Sequence, residues 1–321
     1  MTLDSARCDW LLDTDPALRW QVERDLLAEP DDVWQATRAR VATEGLGARL
    51  LALQDDDGQW AGGAYFPQGH RWGVDEQPWT ATTWSLKSLR EWGVAAAALT
   101  GTVEKLAACC RWEHEDLPYW DGEVDVCINA FTLGTGAWLG ADVSALRDWF
   151  AEHQLADGGW NCEWEDGSTR SSFHSTLNAL TGLLTHESYG GGSEALRSAR
   201  HRGEEYLLER RLLHRLSTGE LVGPWVTTLE YPDRWGYGLL RALDHFRRAS
   251  LHDRTAPDPR LEAAIDVIRS KRTADGRWLQ ERRDPGAVWF HEDVPEGEPS
   301  PWLTLLAVRV LDWWDAAHPP R

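Results

Sequence analysis

The chain has 321 residues, with 52 acidic and 33 basic side chains and a formal net charge of −19 at pH 7. This excess of acid argues against nucleic acid or an anionic membrane surface as a partner, because both attract clustered Lys and Arg. No run approaches the ~18 uninterrupted apolar residues of a membrane span, and the acidic start MTLDSARCDWLLDTD lacks a signal-peptide core. We therefore expect a cytoplasmic protein without integral membrane association.

The numbers of cysteine and tryptophan residues further limit the kinds of protein to which the chain can belong. The five cysteines are an odd number without a framework spacing, so we expect reduced thiols. No glycine-rich nucleotide loop is visible, and no nucleotide cofactor is expected. Tryptophan is abundant, with 21 residues against six each of Tyr and Phe. Because a buried indole is rigid and its N–H needs a partner, these residues predict loop anchors and aromatic walls.

Helical periodicity begins at Asp15, where DPALRWQVERDLL has an acidic N-cap and Pro at the first helical position. The run at 30–54 predicts an outer helix that ends in a turn containing Asp57, Gly58 and Trp60. The same turn recurs as ADGGW at 156–160 and as ADGRW at 274–278. Asp-Gly is a turn signal, and Gly commonly ends a helix. The repeating unit is therefore a helix that stops in a tight turn anchored by an indole.

A second set of amphipathic runs follows these turns and the loops between them. The runs begin at Pro78, Asp125, Ser171, Asp233 and Ser300. With the helix at Asp15 they make roughly six inner helices, separated by outer helices such as 30–54 and 192–216. Both chain ends are apolar and Trp-rich, which favours closure over an open solenoid with polar caps. The sequence predicts an all-α fold, a single (α/α)6 toroid domain over residues 1–321.

The repeats resemble two known families. The Gln-x-x-Asp-Gly-x-Trp turns are similar to the QW repeats of squalene–hopene cyclases and related terpene cyclases. The segment GGWNCEWEDGSTRSSFHSTLNALTGLL resembles a repeat of the protein prenyltransferase β subunits. The resemblance covers roughly residues 45–315 and implies the α/α toroid. It does not decide between activities, because one fold carries several chemistries.

The prenyltransferase resemblance implies a zinc site. Those β subunits have Asp-x-Cys at the start of one inner helix and His at the start of a later one. Asp125, Cys127 and His174 stand at matching places here, and Cys162 is an alternative ligand in a Cys/Cys/His variant. Three protein ligands would leave a fourth position on Zn²⁺ open to water or substrate. The approach to this motif reads PYWDGE and lacks the basic residues with which that family binds diphosphate.

The terpene cyclase resemblance implies a Brønsted acid instead. Class II cyclases have an Asp-x-Asp-Asp motif at the head of an inner helix, whose middle Asp protonates an alkene or epoxide. Here Glu123 and Asp125 keep an acidic pair, while Val126 replaces the last carboxylate. Asp125 is then the candidate acid, assisted by Glu123 or His174.

Inner-helix amino termini open at one end of a toroid, so residues there converge. We expect Trp79, Trp235, Tyr237 and Trp302 to bind substrate, because aromatic faces stabilise a developing carbocation. The prediction is a terpene-cyclase-like enzyme acting on a small apolar, isoprenoid-type substrate. Two alternatives remain open: zinc-dependent prenyl transfer or hydration/dehydration at the Asp/Cys/His site, and a non-catalytic isoprenoid-binding toroid.

Overall fold

The computed structural model describes residues 4–318, and this part of the chain is helical. The helices are α1 (Ser5–Leu12), α2 (Pro16–Asp25), α3 (Asp31–Arg40), α4 (Gly45–Leu51), α5 (Thr82–Trp92), α6 (Thr102–Cys109), α7 (Val126–Leu139), α8 (Ser144–Glu152), α9 (Phe173–His186), α10 (Glu194–Glu209), α11 (Leu239–Asp253), α12 (Glu262–Ser270) and α13 (Pro301–Ala317). Within residues 4–318, β pairing is limited to isolated bridges. The all-α prediction is confirmed. None of the described helices is long and apolar enough to cross a membrane.

The chain divides into two compact units. Among the described residues, the first unit comprises 4–40, 207–284 and 291–318, and the second comprises 41–206 and 285–290. The second unit contains α4 to α9 and most of α10. The first contains α1 to α3 and α11 to α13.

The predicted inner helices correspond to α2, α5, α7, α9, α11 and α13, and some predicted boundaries differ. Helix α5 begins at Thr82 rather than at Pro78. Helix α11 begins at Leu239 rather than near Trp235, since Gly238 takes an extended conformation at the N-cap. The outer run at 30–54 forms two helices, α3 and α4, separated by a turn. Gly45 has a left-handed φ of 63° at that break, which a residue with a side chain rarely adopts.

The three Trp turns share one hydrogen-bond pattern. Each indole N–H donates to a backbone carbonyl ten residues upstream, in the preceding helix: Trp60 to Leu50 at 2.9 Å, Trp160 to Phe150 at 2.9 Å and Trp278 to Ile268 at 2.8 Å. Each Trp backbone N–H then donates to a Thr hydroxyl in the helix that follows the turn, namely Thr82, Thr176 and Thr304, at 3.1 to 3.2 Å. The turn therefore ties the helix before it to the helix after it.

Helices α7 and α9 pack in parallel through glycine contacts. A Cβ on Gly182 would lie 2.5 Å from the carbonyl oxygen of Ala130, and a Cβ on Gly134 would lie 3.4 Å from the Cβ of Thr185. Contacts therefore advance together along both helices, and their amino termini meet at the same end. Parallel helices need a long return connection, which α8 and the Trp160 turn supply.

Helix α5 also runs parallel to α7. The rings of Trp84 and Phe131 lie 5.4 Å apart near the amino-terminal halves, and Arg90 approaches Gly134 further along. The sequence VCINAFTLGTGAWL of α7 has no charged residue, and nearly all of it is buried. A helix that is apolar on all faces is typical of a position surrounded by other helices.

Candidate functional site

The amino end of α7 carries an acidic residue that does not cap the helix. Asp125 occupies the N-cap position, where Asp normally accepts a hydrogen bond from a backbone N–H, yet its carboxylate makes no such bond. At the neighbouring end of α9, Ser172 caps conventionally by accepting from the backbone N–H of Ser175 at 3.0 Å. The Asp125 carboxylate is therefore available for other groups at this end of the helix pair.

Two thiols meet between these helix ends. Cys127 lies in the first turn of α7, and Cys162 lies in a short 3₁₀ helix, Cys162–Trp164, that precedes α9. Their sulfur atoms are 3.4 Å apart. The Asn178 amide donates to Cys127 Sγ at 3.1 Å, and the Ser175 hydroxyl donates to Cys162 Sγ at 3.3 Å. The predicted metal-ligand alternative Cys162 is thus in contact with Cys127.

The thiol pair titrates as a unit. The two sulfurs lie within hydrogen-bonding distance of each other, and either thiol can be the donor. A hydrogen bond from Cys127 lowers the pKa of Cys162. The same bond, together with burial, raises the pKa of Cys127 well above its ordinary value. The first proton therefore leaves Cys162 more readily than an isolated thiol would lose it.

The carboxylates of Glu123 and Asp125 form the second part of the site. Burial, followed by the charge of Asp125, raises the pKa of Glu123 to about 7. Burial also raises the pKa of Asp125, which the Cys162 thiol and His114 partly offset. The loop is fixed by Asn129, whose amide oxygen accepts from the Glu123 N–H at 2.8 Å while its nitrogen donates to the Glu123 carbonyl at 2.6 Å. The acidic pair thus retains a proton near neutral pH.

Tyr65 joins this group, although no sequence motif predicted it. Its phenol is buried, and burial together with the charges of Cys127 and Asp125 raises its pKa well above the usual range. The Glu113 carboxylate accepts the backbone N–H groups of Ala64, Tyr65 and Phe66 at 3.0 to 3.1 Å. Three amides held by one carboxylate fix the loop that directs Tyr65 toward the thiols and acids.

His174 lies in the first turn of α9, where it is partly exposed. It stands four residues before Asn178 and hence on the same face of the helix. In the described part of the chain, no three of Asp125, Cys127, Cys162 and His174 bring ligand atoms within 4.8 Å of one another. The predicted metal-ligand set remains a prediction.

A row of aromatic rings begins at Tyr65 and extends through Trp84 to Trp79 within the second unit. Tyr65 and Trp84 have ring centroids 4.8 Å apart, and Trp79 meets Trp84 edge-on at 4.7 Å. The Trp79 indole donates to the carbonyl of Pro285 at 2.7 Å. Of the four predicted substrate-binding residues, Trp79 is the one in the same unit as the acids and thiols.

The other three predicted aromatic residues belong to the first unit. Trp302 stacks on Tyr231 at 4.5 Å, and the Tyr237 hydroxyl donates to the Leu212 carbonyl at 2.8 Å. Trp235 precedes α11 and is 43% exposed. Their shared role with Trp79 stays a prediction.

Sequence reasoning identified the acids and thiols but missed Tyr65, Glu113, Ser175 and Asn178. Ser175 and Asn178 lie within the segment SSFHSTLNAL, three and six residues after Ser172. Their contacts with the thiols could have been predicted only if the close packing of α7 against α9 had been known.

Comparisons with protein-family models, with curated proteins and with solved structures found no match for this chain.

Proposed function

We propose that this chain is a terpene-cyclase-like enzyme that applies acid–base chemistry to an apolar, isoprenoid-type substrate. The observation that carries the proposal is the placement of Asp125. Its carboxylate does not cap α7 and lies with Glu123 near the Cys127–Cys162 thiol pair and the buried Tyr65 phenol. Structural carboxylates at helix starts ordinarily cap, so a carboxylate that does not is available for a reaction.

The chemistry follows from the proton that the acidic pair retains. An acid with a pKa of about 7 is suited to general acid catalysis near neutral pH. Such an acid protonates a substrate oxygen, as in an epoxide or alcohol, more readily than an alkene carbon. The adjoining rings of Tyr65, Trp84 and Trp79 offer aromatic faces to the positive charge that develops when the C–O bond breaks.

The proposal includes the α/α toroid. Parallel packing of α5, α7 and α9 within one unit supports it, as does the parallel course of α11 and α13, where Asp244 meets Arg309 and Ser250 meets Trp313. The substrate-binding role of Trp235, Tyr237 and Trp302 is also part of this proposal. The cytoplasmic location is part of this proposal.

The experiment is a screen of isoprenoid epoxides, alcohols and alkenes, with products identified by gas chromatography and mass spectrometry. We expect Glu123→Gln and Asp125→Asn each to abolish turnover while substrate binding is retained. Glu152→Gln, which changes an exposed carboxylate at the end of α8 and outside the site, is the matched control and should keep full activity. Turnover that persists in both site variants would overturn the proposal. Binding without turnover in the parent protein would favour a non-catalytic isoprenoid-binding toroid.

A second candidate function, zinc-dependent alkyl transfer or hydration, is favoured by the contact between Cys127 and Cys162. Two sulfurs bound to a tetrahedral zinc at about 2.3 Å lie roughly 3.8 Å apart, close to the 3.4 Å between these atoms. Thiolate, carboxylate and imidazole are donor types that Zn²⁺ accepts, but within residues 4–318 no three of Cys127, Cys162, Asp125 and His174 have ligand atoms within 4.8 Å of one another, so binding would require these side chains to approach. The metal would supply Lewis acidity or an activated thiolate or water, while Asn178 and Ser175 orient the sulfurs.

Metal content decides this second candidate. Protein purified without a His-tag or chelator should contain near-stoichiometric zinc that disappears in Cys127→Ala and in His174→Ala. The exposed Cys109 provides the control, since Cys109→Ala should retain the metal. Absence of zinc from the parent protein would eliminate this candidate and leave the acid–base proposal standing.

A further inference from the structure

Cys127 and Cys162 are close enough to form a covalent bond after a small movement. Their sulfur atoms are 3.4 Å apart, against about 2.05 Å in a disulfide, so the atoms need to approach by roughly 1.4 Å. Both cysteines are free thiols here. Their contact brings together two elements 35 residues apart in the sequence.

The surrounding hydrogen bonds hold the two sulfur atoms next to each other. The Trp164 indole donates to the Val124 carbonyl at 2.9 Å, which ties the 3₁₀ helix to the loop before α7. The backbone N–H of Cys162 donates to the Ser175 hydroxyl at 3.1 Å. Asn178 fixes the Cys127 sulfur from the other side. The pair is therefore preorganised, and the loss of chain freedom on bond formation is small.

The two thiols differ in access. The Cys127 side chain is 7% exposed in the first turn of a buried helix, whereas Cys162 lies in a short, partly exposed 3₁₀ helix. A small oxidant therefore reaches Cys162 first, and Cys127 is positioned to attack the oxidised sulfur. This arrangement of an accessible thiol beside a buried resolving thiol is typical of oxidation sites.

We propose that Cys127 and Cys162 form an oxidation site for hydroperoxides that closes into a disulfide. In the first step the Cys162 sulfur attacks the peroxide O–O bond and takes one oxygen, giving a sulfenic acid and releasing water or an alcohol. In the second step the Cys127 sulfur attacks Cys162, which forms the S–S bond and releases water. Two thiols lose two protons and two electrons, which reduce the peroxide to water or an alcohol and a second water.

Oxidation would change the candidate site in a defined way. The two thiol groups beside the carboxylates are lost when they become a disulfide. Two potential metal ligands are lost with them, because a disulfide binds zinc poorly. The inference does not depend on the proposed function, because it concerns the sulfur atoms alone. An inactive or metal-free protein would still be able to form the bond.

The test uses the full chain and hydrogen peroxide as the oxidant, with protein as purified and after dialysis against a chelator. After quenching, thiols are alkylated in denaturant and counted by intact mass, and the linked peptides are mapped. Of five thiols, we expect three to remain, with Cys127 joined to Cys162 in at least one preparation. Treatment with a thiol reductant should restore all five.

Two variants control the assignment. Cys109→Ser removes an exposed cysteine outside the pair and should still lose two thiols. Cys162→Ser should keep Cys127 reduced at the same peroxide concentration, and circular dichroism checks its fold. The proposal is overturned if the parent protein gains oxygen atoms without a cross-link in both preparations. It is equally overturned if the cross-link joins any other pair.

Discussion

At the scale of single residues, the tryptophans of the repeated turns act as hydrogen-bond donors as well as apolar bulk. Trp60, Trp160 and Trp278 are each 0% exposed, and each indole satisfies a backbone carbonyl of the preceding helix. The last carbonyls of a helix lack intrahelical partners, so a buried helix end needs donors of this kind. The indole therefore stabilises both the apolar interior and the helix terminus.

We predict that Trp160→Phe lowers the free energy of unfolding by about 2 kcal/mol. The smaller ring leaves a void, and the buried Phe150 carbonyl loses its donor, which costs roughly 1–3 kcal/mol. Urea unfolding followed by circular dichroism measures the change. Trp72→Phe is the control, because Trp72 is 64% exposed and should change stability by less than about 0.5 kcal/mol. Equal effects at the two positions would contradict this account.

Residue-scale prediction from sequence was confirmed for the three Trp turns, because the spacing of Asp, Gly and Trp is a local signal. The Asp-x-Cys pattern drew attention to Asp125 and Cys127, whose roles stay a prediction. Tyr65 and Glu113 escaped because their placement depends on a contact across 48 residues, which no short pattern encodes. The Thr hydroxyls that bond each turn were missed for the same reason.

At the scale of helices, the close approach of α7 and α9 depends on the lack of a side chain at Gly182. Gly is ordinarily unfavourable inside a helix by about 1 kcal/mol relative to Ala. Here a Cβ would lie 2.5 Å from the Ala130 carbonyl oxygen and 2.9 Å from its Cα, both of which are backbone atoms that cannot rotate away. The close packing therefore requires glycine.

We predict that Gly182→Ala destabilises the protein by roughly 1–3 kcal/mol despite the better helix propensity of Ala, because the two helices must separate. Thermal unfolding measures the loss. The matched control is Gly236→Ala, where the nearest atom is 3.9 Å from the added Cβ. A gain in stability at Gly182 would show that α7 and α9 do not pack as closely as described. Separation should also weaken the hydrogen bond from Asn178 to Cys127.

At the scale of the whole molecule, which has a large excess of acidic residues, the pH dependence of stability tests how buried carboxylates are paired. Within the first unit, Asp244 is buried between α11 and α13. Burial alone would raise its pKa, but the charges of Arg309, Arg247 and Arg248 outweigh burial and hold the pKa well below its usual value. Arg309 donates to Asp244 at 2.9 Å from two nitrogens, through Nε to Oδ1 and through Nη2 to Oδ2.

The sign of the pH effect follows from this depressed pKa. The folded state binds fewer protons at Asp244 than the unfolded state, so its stabilisation is present above the ordinary Asp pKa of about 4 and is lost at lower pH. We predict that Asp244→Asn costs about 3 kcal/mol at neutral pH, because Arg309 loses a buried partner. The difference from the parent protein should shrink as the pH falls below about 4. Unfolding curves at a series of pH values test this, and a constant difference would contradict it.

The fold was predictable from sequence to the level of helix order. Six amphipathic runs appear as helices at or near their predicted starts, because periodicity and capping are local signals. The break between α3 and α4 and the late start of α11 were not predicted, since both depend on how glycine backbones turn at 45 and 238. Closure of the helices into a toroid would depend on contacts between residues far apart in the sequence, and it remains a proposal.

The hydrogen bonds of the Trp turn also bear on how such a chain can lengthen over evolutionary time. Each set of bonds closes within one continuous segment: 50–82, 150–176 or 268–304. A tandem gene duplication of such a segment would carry the indole, its carbonyl acceptor and its Thr partner together. The copied turn would need no compensating mutation elsewhere to satisfy its indole N–H, its acceptor carbonyl and its Trp backbone N–H.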